Sequence, residues 1–323
     1  MSHRVSVIIP NYNHAAYLRQ RLDSVLDQTL KPFEIIILDD CSTDKSVEII
    51  EAYISKHPQI KFIKNEVNSG STFAQWNKGV AMAKGDLIWI AESDDAAEPI
   101  FLEMMLDCFY ADSSIALAYC QSSKINSEGT LSGTWKSHTD EFDSELFRTD
   151  FKMDGINYIE CFLIHKNTIP NASAVVFKKI LFENTGGANS QLKNHGDWMV
   201  WLQLLCIGKI TFVSMPLNNF RSHHESVIAK ALSNKEDKTF KDWYGLVMRK
   251  HFLQFLKKHK IKLPTTLKQA NNYYVSIDEG NLGLHYLTRG NYFLGWRLIL
   301  KASLYPNVRL GVIKKAILSN LFL

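Results

Sequence analysis

The sequence predicts an α/β protein with a doubly wound, mostly parallel sheet and a C-terminal helical region. Three observations support this prediction. Over the first two-thirds of the chain, short apolar runs rich in β-branched residues alternate with segments of helical period. Asn or Asp side chains directly follow several of these runs. Beyond about residue 226 the chain becomes polar, basic and helical in period. Strands that alternate with helices indicate βαβ units and a parallel sheet.

The predicted strands are short, continuous apolar runs of the kind that form buried parallel strands. They cover residues 5–9, 34–38, 60–63, 86–90, 116–120, 174–177 and 210–213. Helices are predicted where apolar residues recur every three or four positions. These segments are 15–29, 47–54, 76–83, a segment after Pro99, and 197–206, in which Trp198 and Trp201 are expected to face the core. Residues 126–170 show no clear period and are expected to form long loops around short elements.

The charge distribution divides the chain into two regions. The 323 residues carry a net charge of +4, yet residues 231–323 hold 16 Lys and Arg against 5 Asp and Glu, and the remainder holds 21 against 28. We therefore predict one domain over residues 1–225 and a helical basic region over 226–323. The basic region is compatible with a solvated helix face or with anionic lipid, and a nucleic-acid partner is not expected.

Cysteine usage and hydropathy indicate a cytoplasmic location. The five cysteines are widely spaced and form no C-x-x-C pair, which is typical of a reducing compartment. A secretory signal is not expected, because polar residues interrupt the first apolar stretch, and no spanning helix is expected because no run of 18 apolar residues occurs. Residues 291–323 combine basic and apolar side chains without any acidic residue, and they leave open a peripheral contact with the inner face of the membrane. A homo-oligomer is also left open.

Polar and acidic residues follow three of the predicted strands. Ligands of open α/β sheets bind at the carboxyl ends of the strands, so these side chains should share one crevice. An acidic crevice suits a phosphate only when a cation intervenes, and hard oxygen ligands favour Mg²⁺ or Mn²⁺. Capping and turn formation would explain any single Asp, but two Asp-Asp pairs directly after strands favour a functional site. The residues concerned are Asn11, Tyr12, Asn13, Asp39, Asp40, Glu92, Asp94 and Asp95.

Four motifs in order resemble family-2 glycosyltransferases with the GT-A fold, of the inverting, bacterial polysaccharide type. The resemblance covers about residues 4–225, and four ordered motifs are more specific than any one of them. They are VSVIIPNYN at 5–13, EIIILDDCSTD at 34–44, the segment from NSG at 68–70 to GD at 85–86, and AESDD at 91–95.

The resemblance implies where the nucleotide of a UDP- or dTDP-sugar binds. The loop carrying Pro10, Tyr12 and Asn13, together with Asp40, would hold the base. A carboxylate can accept the N3–H of uracil or thymine, and Tyr12 would pack on the base plane. Alternatively, Tyr12 is an aromatic residue of a surface turn and has no role in binding.

The resemblance also implies a metal site at the D-x-D-type motif. Asp95 would be the metal ligand, and Asp94 would face the ribose and the metal. Glu92 stands at the leading position in place of Asp, so its role is left open. Farther along, Arg221 and His223 match an R-x-H-x-x-S segment and would reach the diphosphate or the metal, whereas the remaining histidines are expected on the surface.

Asp197 matches the acidic residue that precedes a Trp-containing helix in the family. The resemblance implies that it is the general base that deprotonates the acceptor hydroxyl. A helix N-cap is the alternative reading of this position. In the third motif, the segment from residue 68 to 86, the family usually carries an Arg before its second Asn. Gln75 and Trp76 occupy that region here.

These features predict an inverting, metal-assisted transfer of sugar to a hydroxyl of a glycan or lipid-linked acceptor. A sugar nucleotidyltransferase and a Rossmann dehydrogenase both need a glycine-rich loop after the first strand, and residues 10–14 contain no glycine. The non-enzymatic alternative is a catalytically inactive protein that binds a nucleotide-sugar. The sugar, the linkage and the acceptor cannot be read from the sequence. The sequon at 171–173 is expected to be unused.

Overall fold

The computed structural model describes residues 3–192, 195–223 and 240–305. The chain divides into two compact units. The first comprises the described residues up to 163 and from 167 to 223, and the second comprises 164–166 and the described residues from 240 onward. The predicted boundary after residue 225 lies outside the described residues and stays a prediction.

The first unit is built on one ten-stranded sheet. Its strand order is β3-β2-β1-β4-β9-β6-β10-β5, with β7 paired to β6 and β8 to β10. The strands are β1 (Val5–Asn11), β2 (Glu34–Asp39), β3 (Ile60–Lys64), β4 (Leu87–Ile90), β5 (Ala96–Ala97), β6 (Ile115–Ile125), β7 (Leu131–Thr134), β8 (Phe151–Met153), β9 (Val175–Lys178) and β10 (Lys209–Arg221).

Helices connect most of these strands. They are α1 (Ala15–Leu26), α2 (Ser46–Ile54), α3 (Thr72–Met82), α4 (Phe101–Ala111), α5 (Gly155–Tyr158), α6 (Lys179–Asn184) and α7 (Gly196–Leu205). Short helical turns occupy Lys136–His138, Leu146–Arg148, Ile159–Leu163 and Ala172–Ala174. Every strand predicted from the sequence is present, and the 126–170 segment contains short elements between loops, as predicted.

The sheet has a parallel half and a mixed half. β3, β2, β1 and β4 are mutually parallel, which confirms the predicted βαβ arrangement. β9 is antiparallel to both β4 and β6, whereas β6 and β10 are parallel. The sheet is therefore mixed, because β9 returns antiparallel between the two parallel groups.

Continuous apolar strands form here because helices cover both sheet faces. Side chains of a strand alternate between faces, and alternate residues of β1, β2 and β4 pack with α1, α2 and α4 in one core. On the other face α3 approaches β1 closely: a Cβ at Gly79 would lie 2.5 Å from Ile8 Cγ2. Trp198 and Trp201 of α7 are buried, as predicted.

The second unit contains three helices, α8 (Phe240–Lys258), α9 (Thr265–Thr288) and α10 (Tyr292–Ala302). The α9 and α10 helices approach most closely at Gly283 and Gly295, where a Cβ on either residue would lie 2.9 Å from the other's carbonyl oxygen. The buried Glu279 carboxylate pairs with Lys250 Nζ at 3.3 Å and with Lys301 Nζ at 2.6 Å. These contacts tie the three helices together.

None of the described helices is both long enough and apolar enough to cross a bilayer. Residues 224–239 and 306–323 lie outside the described part of the chain, and so do the end of the R-x-H-x-x-S segment and the basic residues after 305.

Candidate active site

A hydrogen-bond network ties the carboxyl ends of β1 and β2 together. Asn11 Nδ2 donates to Asp39 Oδ1 at 2.8 Å and to Ser42 Oγ at 3.2 Å. The second Asp39 oxygen accepts the Ser42 backbone N–H at 2.9 Å. Asn11 and Asp39 are both buried. The first carboxylate of the Asp39–Asp40 pair is therefore used to hold the loop.

The loop after β1 presents one aromatic ring to solvent. Pro10 is buried within β1, whereas 46% of Tyr12 is exposed. Asn13 has a left-handed backbone with φ 56°, and its Oδ1 accepts the Thr43 backbone N–H at 2.8 Å. Of the three residues predicted to bind the nucleotide here, Tyr12 thus offers the accessible surface, and Pro10 and Asn13 shape the loop beneath it.

Asp40 lies in a cage of neutral donors. Its carboxylate accepts from Asn65 Nδ2 at 2.6 Å, from the Ser69 hydroxyl at 2.7 Å, and from Gln75 Nε2 at 3.0 Å. The Ser69 backbone N–H also donates to it at 2.9 Å. Gln75, at the position where the resemblance shows an Arg, therefore orients Asp40. The assignment of Asp40 to the base stays a prediction.

Glu92 is half-buried and hydrogen-bonded to the buried Trp76. Trp76 Nε1 donates to Glu92 Oε1 at 2.8 Å. Burial raises the pKa of Glu92 to about 8, and the charge of Asp94 adds to the shift. A carboxyl group with this pKa is protonated near neutral pH. This explains the departure from Asp at this position: the longer side chain reaches Trp76.

One carboxylate and two imidazoles converge after β4. His14, Asp94 and His223 each offer one ligand atom, and these atoms all lie within 4.8 Å of one another. His223 Nε2 and Asp94 Oδ2 are hydrogen-bonded at 3.0 Å, and His14 Nδ1 is 2.8 Å from Ser93 Oγ. Burial opposes the charge on Asp94, but the His223 bond and both imidazoles outweigh it, so the pKa of Asp94 is lowered.

Asp95 and Arg221 connect the acidic loop to the end of β10. Asp95 Oδ1 accepts the Arg221 backbone N–H at 2.9 Å, and burial, followed by the Asp94 charge, raises the pKa of Asp95 to about 7. The buried Arg221 guanidinium donates to the Asp94 carbonyl at 2.7 Å and to the Asn126 carbonyl at 2.8 Å. It also bonds Gln20 Oε1. The metal role of Asp95 and the nucleotide role of Arg221 stay predictions, and the contacts observed are with protein groups.

Asp197 lies in the first turn of α7. Asn167 Nδ2 donates to Asp197 Oδ2 at 3.0 Å, and burial raises the pKa of Asp197. Gly196 is required immediately before it, because a Cβ there would lie 2.4 Å from the Phe73 ring. No side-chain capping bond is made by the residue before the helix, His195.

Sequence reasoning missed three contributors to this site. His14 was expected on the surface, but it is half-buried and belongs to the imidazole–carboxylate cluster. Its position directly after the β1 motif was the available signal. Asn167 lies outside the motifs and Ser93 lies inside AESDD without a role assigned to it, because the importance of each comes from the side chain it contacts, Asp197 and His14 respectively.

The fold and the acidic loop at its strand ends define a glycosyltransferase-like protein of the GT-A class. The structure superposes on that of S. aureus TarS residues 1–349 in complex with UDP-GlcNAc with a TM-score of 0.61, at 17% identity over 95% of this chain and 90% of that chain. The model of Glycosyl transferase family 2 matches residues 6–169, about half of the chain. The chain belongs to glycosyl transferase family 2.

Curated relatives are synthases and transferases of polysaccharides. The chain is 27% identical to a chondroitin synthase of Escherichia coli over 83% of this chain, but the match spans only 36% of that protein. It is 29% identical to TuaG of Bacillus subtilis, a putative teichuronic acid biosynthesis glycosyltransferase, over 77% of this chain and 90% of that protein. The chain thus spans about a third of the length of the first relative and resembles the second over nearly its whole length.

Proposed function

We propose that this protein is an inverting glycosyltransferase of polysaccharide biosynthesis. It transfers a sugar from a nucleotide diphosphate-sugar to a hydroxyl of a saccharide or lipid-linked saccharide. The observation that carries the proposal is the cluster of His14, Asp94 and His223 at the carboxyl ends of the strands. The family membership and the polysaccharide-related relatives support it.

The donor is proposed to be a uridine or thymidine diphosphate-sugar. The exposed Tyr12 ring supplies a stacking surface for the base, and the Asp40 carboxylate is held in place by Asn65, Ser69 and Gln75. The structural relative TarS was crystallised with UDP and with UDP-GlcNAc, which supports a uridine nucleotide.

The cluster residues fit a divalent cation. Imidazole nitrogens suit Mn²⁺ better than Mg²⁺, which prefers oxygen ligands. We assign Asp94, His14 and His223 as direct ligands of the cation. Asp95, which the sequence predicted as the metal ligand, is the alternative carboxylate ligand to Asp94. When bound, the cation acts as a Lewis acid that stabilises charge on the leaving diphosphate. Ser93 orients His14, and Arg221 holds the Asp94 backbone.

Asp197 is proposed as the general base. It accepts the proton of the acceptor hydroxyl as the hydroxyl oxygen bonds to the anomeric carbon and the bond to the diphosphate breaks. A single displacement of this kind inverts the anomeric configuration. Asn167 holds one carboxylate oxygen of Asp197 at 3.0 Å, so the other oxygen is the one assigned to the proton.

A reaction on the cytoplasmic face of the membrane is part of the proposal. Its support is the set of five free cysteines, all among the described residues, which suits a reducing compartment.

Turnover of donor separates this function from that of an inactive nucleotide-sugar-binding protein. UDP-, dTDP- and GDP-sugars are first screened with Mn²⁺ for thermal stabilisation, and those that bind are then incubated with saccharide acceptors. We expect release of the nucleoside diphosphate and a product of inverted configuration. Binding without any release would support the inactive alternative, and a product of retained configuration would exclude Asp197 as the base of a single displacement.

A further inference from the structure

Arg21 is a buried charge on the apolar face of α1. It shares that face with Leu18, Leu22 and Val25, and its side chain is fully buried. A charged group removed from water costs free energy unless hydrogen bonds or opposite charges compensate it. Arg21 lies outside the sequence motifs, so its contacts in the fold indicate its role.

The guanidinium group of Arg21 binds the acidic loop that follows β4. Arg21 Nε donates to the Glu92 carbonyl oxygen at 2.8 Å, and Cζ lies 5.7 Å from the centre of the Trp89 ring. Burial lowers the pKa of Arg21 to about 10, and the charges of Asp95 and Asp94 oppose this shift. The group therefore remains charged at neutral pH. One permanent positive charge thus contacts the acidic loop.

The part of the loop that Arg21 binds is a tight turn. The Asp95 backbone N–H donates to the same Glu92 carbonyl oxygen at 3.2 Å, which closes a β-turn over residues 92–95. Asp94 is the third residue of this turn, so the backbone of the turn sets the direction of its side chain. Because Arg21 binds the carbonyl group that closes the turn, Arg21 influences the direction of Asp94.

A second buried guanidinium group binds the same turn. Arg221 Nε donates to the Asp94 carbonyl oxygen at 2.7 Å. The carbonyl groups of the first and third residues of the turn thus each accept an N–H from an arginine. Hydrogen bonds from charged donors are about twice as strong as those from neutral donors. Arginines from α1 and from the end of β10 therefore hold the turn together.

Neither guanidinium group binds the Asp94 carboxylate. Arg21 Nη1 and Nη2 have no hydrogen-bond partner among the described residues. The Arg221 guanidinium donates to backbone carbonyl groups and to Gln20. Asp94 Oδ2 instead lies 3.0 Å from His223 Nε2. The two arginines thus act on the turn through its backbone and through their charge, and the carboxylate stays available to a cation.

We infer that Arg21 is a positioning residue of the proposed metal site. It holds the turn at residues 92–95 so that Asp94 faces His14 and His223, and its charge compensates the negative charge of the loop. Groups that orient metal ligands from outside the ligand set contribute strongly to metal affinity. The inference rests on the proposed function, because that function makes Asp94, His14 and His223 the ligands of a cation.

Two substitutions of Arg21 test this role. Arg21→Met keeps a long side chain but removes the charge and the N–H donors, whereas Arg21→Lys keeps the charge and a donor. The Kd of Mn²⁺ is measured by titration in the absence of donor and acceptor. Arg21→Met should weaken Mn²⁺ binding by about 10- to 100-fold. Arg21→Lys should weaken it by about three- to tenfold, because an ammonium group lacks the planar geometry of the guanidinium group.

Arg19→Met and Arg249→Met are the matched controls. Arg19 is exposed on the same helix, and Arg249 is buried in the second unit. Arg249→Met measures how the loss of a buried arginine changes Tm, and it should leave the Kd of Mn²⁺ unchanged. Mn²⁺ binding as tight as in the wild-type protein, or tighter, in both Arg21 variants would overturn the inference. Tighter binding would show that the Arg21 charge only repels the cation.

A measurement on the metal-free protein separates this inference from the proposed function. The chemical shifts of the His223 imidazole nitrogens report its hydrogen bond with Asp94 without Mn²⁺. Arg21→Met and Arg21→Lys should change these shifts, and Arg249→Met should not. Changed shifts in a protein that binds no Mn²⁺ would reject the cation and keep the positioning role. Unchanged shifts with an unchanged Kd of Mn²⁺ would reject the positioning role and keep the cation.

Discussion

Asp197 is a stronger base than an exposed carboxylate because its surroundings disfavour its charge. The backbone of α7 and the Asn167 amide keep the side chain in place, and burial raises its pKa. We expect Asp197→Asn to reduce transfer by about 10²–10⁴-fold while UDP binding with Mn²⁺ is retained, since the amide preserves shape but accepts no proton. Transfer rate and UDP affinity are measured together. Equal losses in both would indicate a structural role.

The raised pKa of Asp197 also predicts the pH dependence of activity. Only the ionised form accepts a proton, so kcat/KM should rise with pH through a pKa above the ordinary value of about 3.9. Stability has the opposite sign: a carboxyl group with a raised folded pKa loses stability as pH rises above its unfolded pKa. Asp197→Asn should therefore leave Tm at neutral pH unchanged or higher. A fall in Tm would contradict this account.

The cluster around Asp94 gives a prediction about metal affinity. Asp94→Asn, His14→Gln and His223→Gln should each weaken Mn²⁺ binding by roughly 10- to 100-fold or more. Direct titration with Mn²⁺ measures this, with His57→Gln as the control histidine. Mn²⁺ titration of Asp95→Asn shows whether Asp94 or Asp95 is the carboxylate that binds the metal. A larger loss from Asp95→Asn than from Asp94→Asn would favour the original sequence-based assignment.

At the residue scale, the sequence predicted which strand ends carry chemistry but not which way each side chain points. Asp39, Asp40, Asp94 and Asp95 look equivalent in the motifs, yet Asp39 braces a loop and Asp94 meets two imidazoles. The orientation of each carboxylate depends on donors distant in sequence. His14 was missed for the same reason.

At the element scale, the α9–α10 pair depends on two glycines. A side chain at Gly283 would meet the Gly295 carbonyl oxygen and Ile299, so the helices would have to separate. We expect Gly283→Val to lower the free energy of unfolding by about 1–3 kcal/mol. Asn272→Val, at an exposed position of α9, controls for the helix propensity of valine. Denaturant unfolding followed by circular dichroism measures both, and equal effects would rule out the packing explanation.

Element positions were largely predictable because buried strands and amphipathic helices have distinct apolar periods. All predicted strands and the helices between them are present. The direction of β9 was not predictable from its three apolar residues, since a buried strand has the same composition in either orientation. Its pairing with β4 and β6 depends on the long connection before it.

At the scale of the whole molecule, the second unit leaves apolar side chains exposed on and just after α10. Phe293 is 81% exposed, Leu300 61% and Leu304 80%, and Arg297 lies among them. Apolar and basic groups so arranged suit a helix at a membrane interface. Anionic lipid would add about 1 kcal/mol per basic residue near the surface. We therefore predict peripheral binding to anionic membranes.

Vesicle co-sedimentation checks this prediction. The full-length protein should bind anionic vesicles at low salt and release them at high salt. The double substitution Phe293→Ser and Leu300→Ser should reduce binding, whereas Ile180→Ser, at an exposed apolar position of the first unit, should not. If the double variant bound vesicles as well as the wild-type protein does, α10 would have no role in membrane binding. Its lysine and arginine residues would then simply be solvated.

The sequence by itself determined the α/β class, the order of strands and helices, and the family, because these follow from apolar periodicity and from motifs contiguous in the chain. Tertiary structure decided the cluster of His14, Asp94 and His223 and the hydrogen bond between Glu92 and Trp76. Each joins side chains far apart in sequence, from 16 to 129 positions for the Glu92–Trp76 and Asp94–His223 hydrogen bonds. Their chemistry arises from burial and mutual charge, which exist only once the chain has folded.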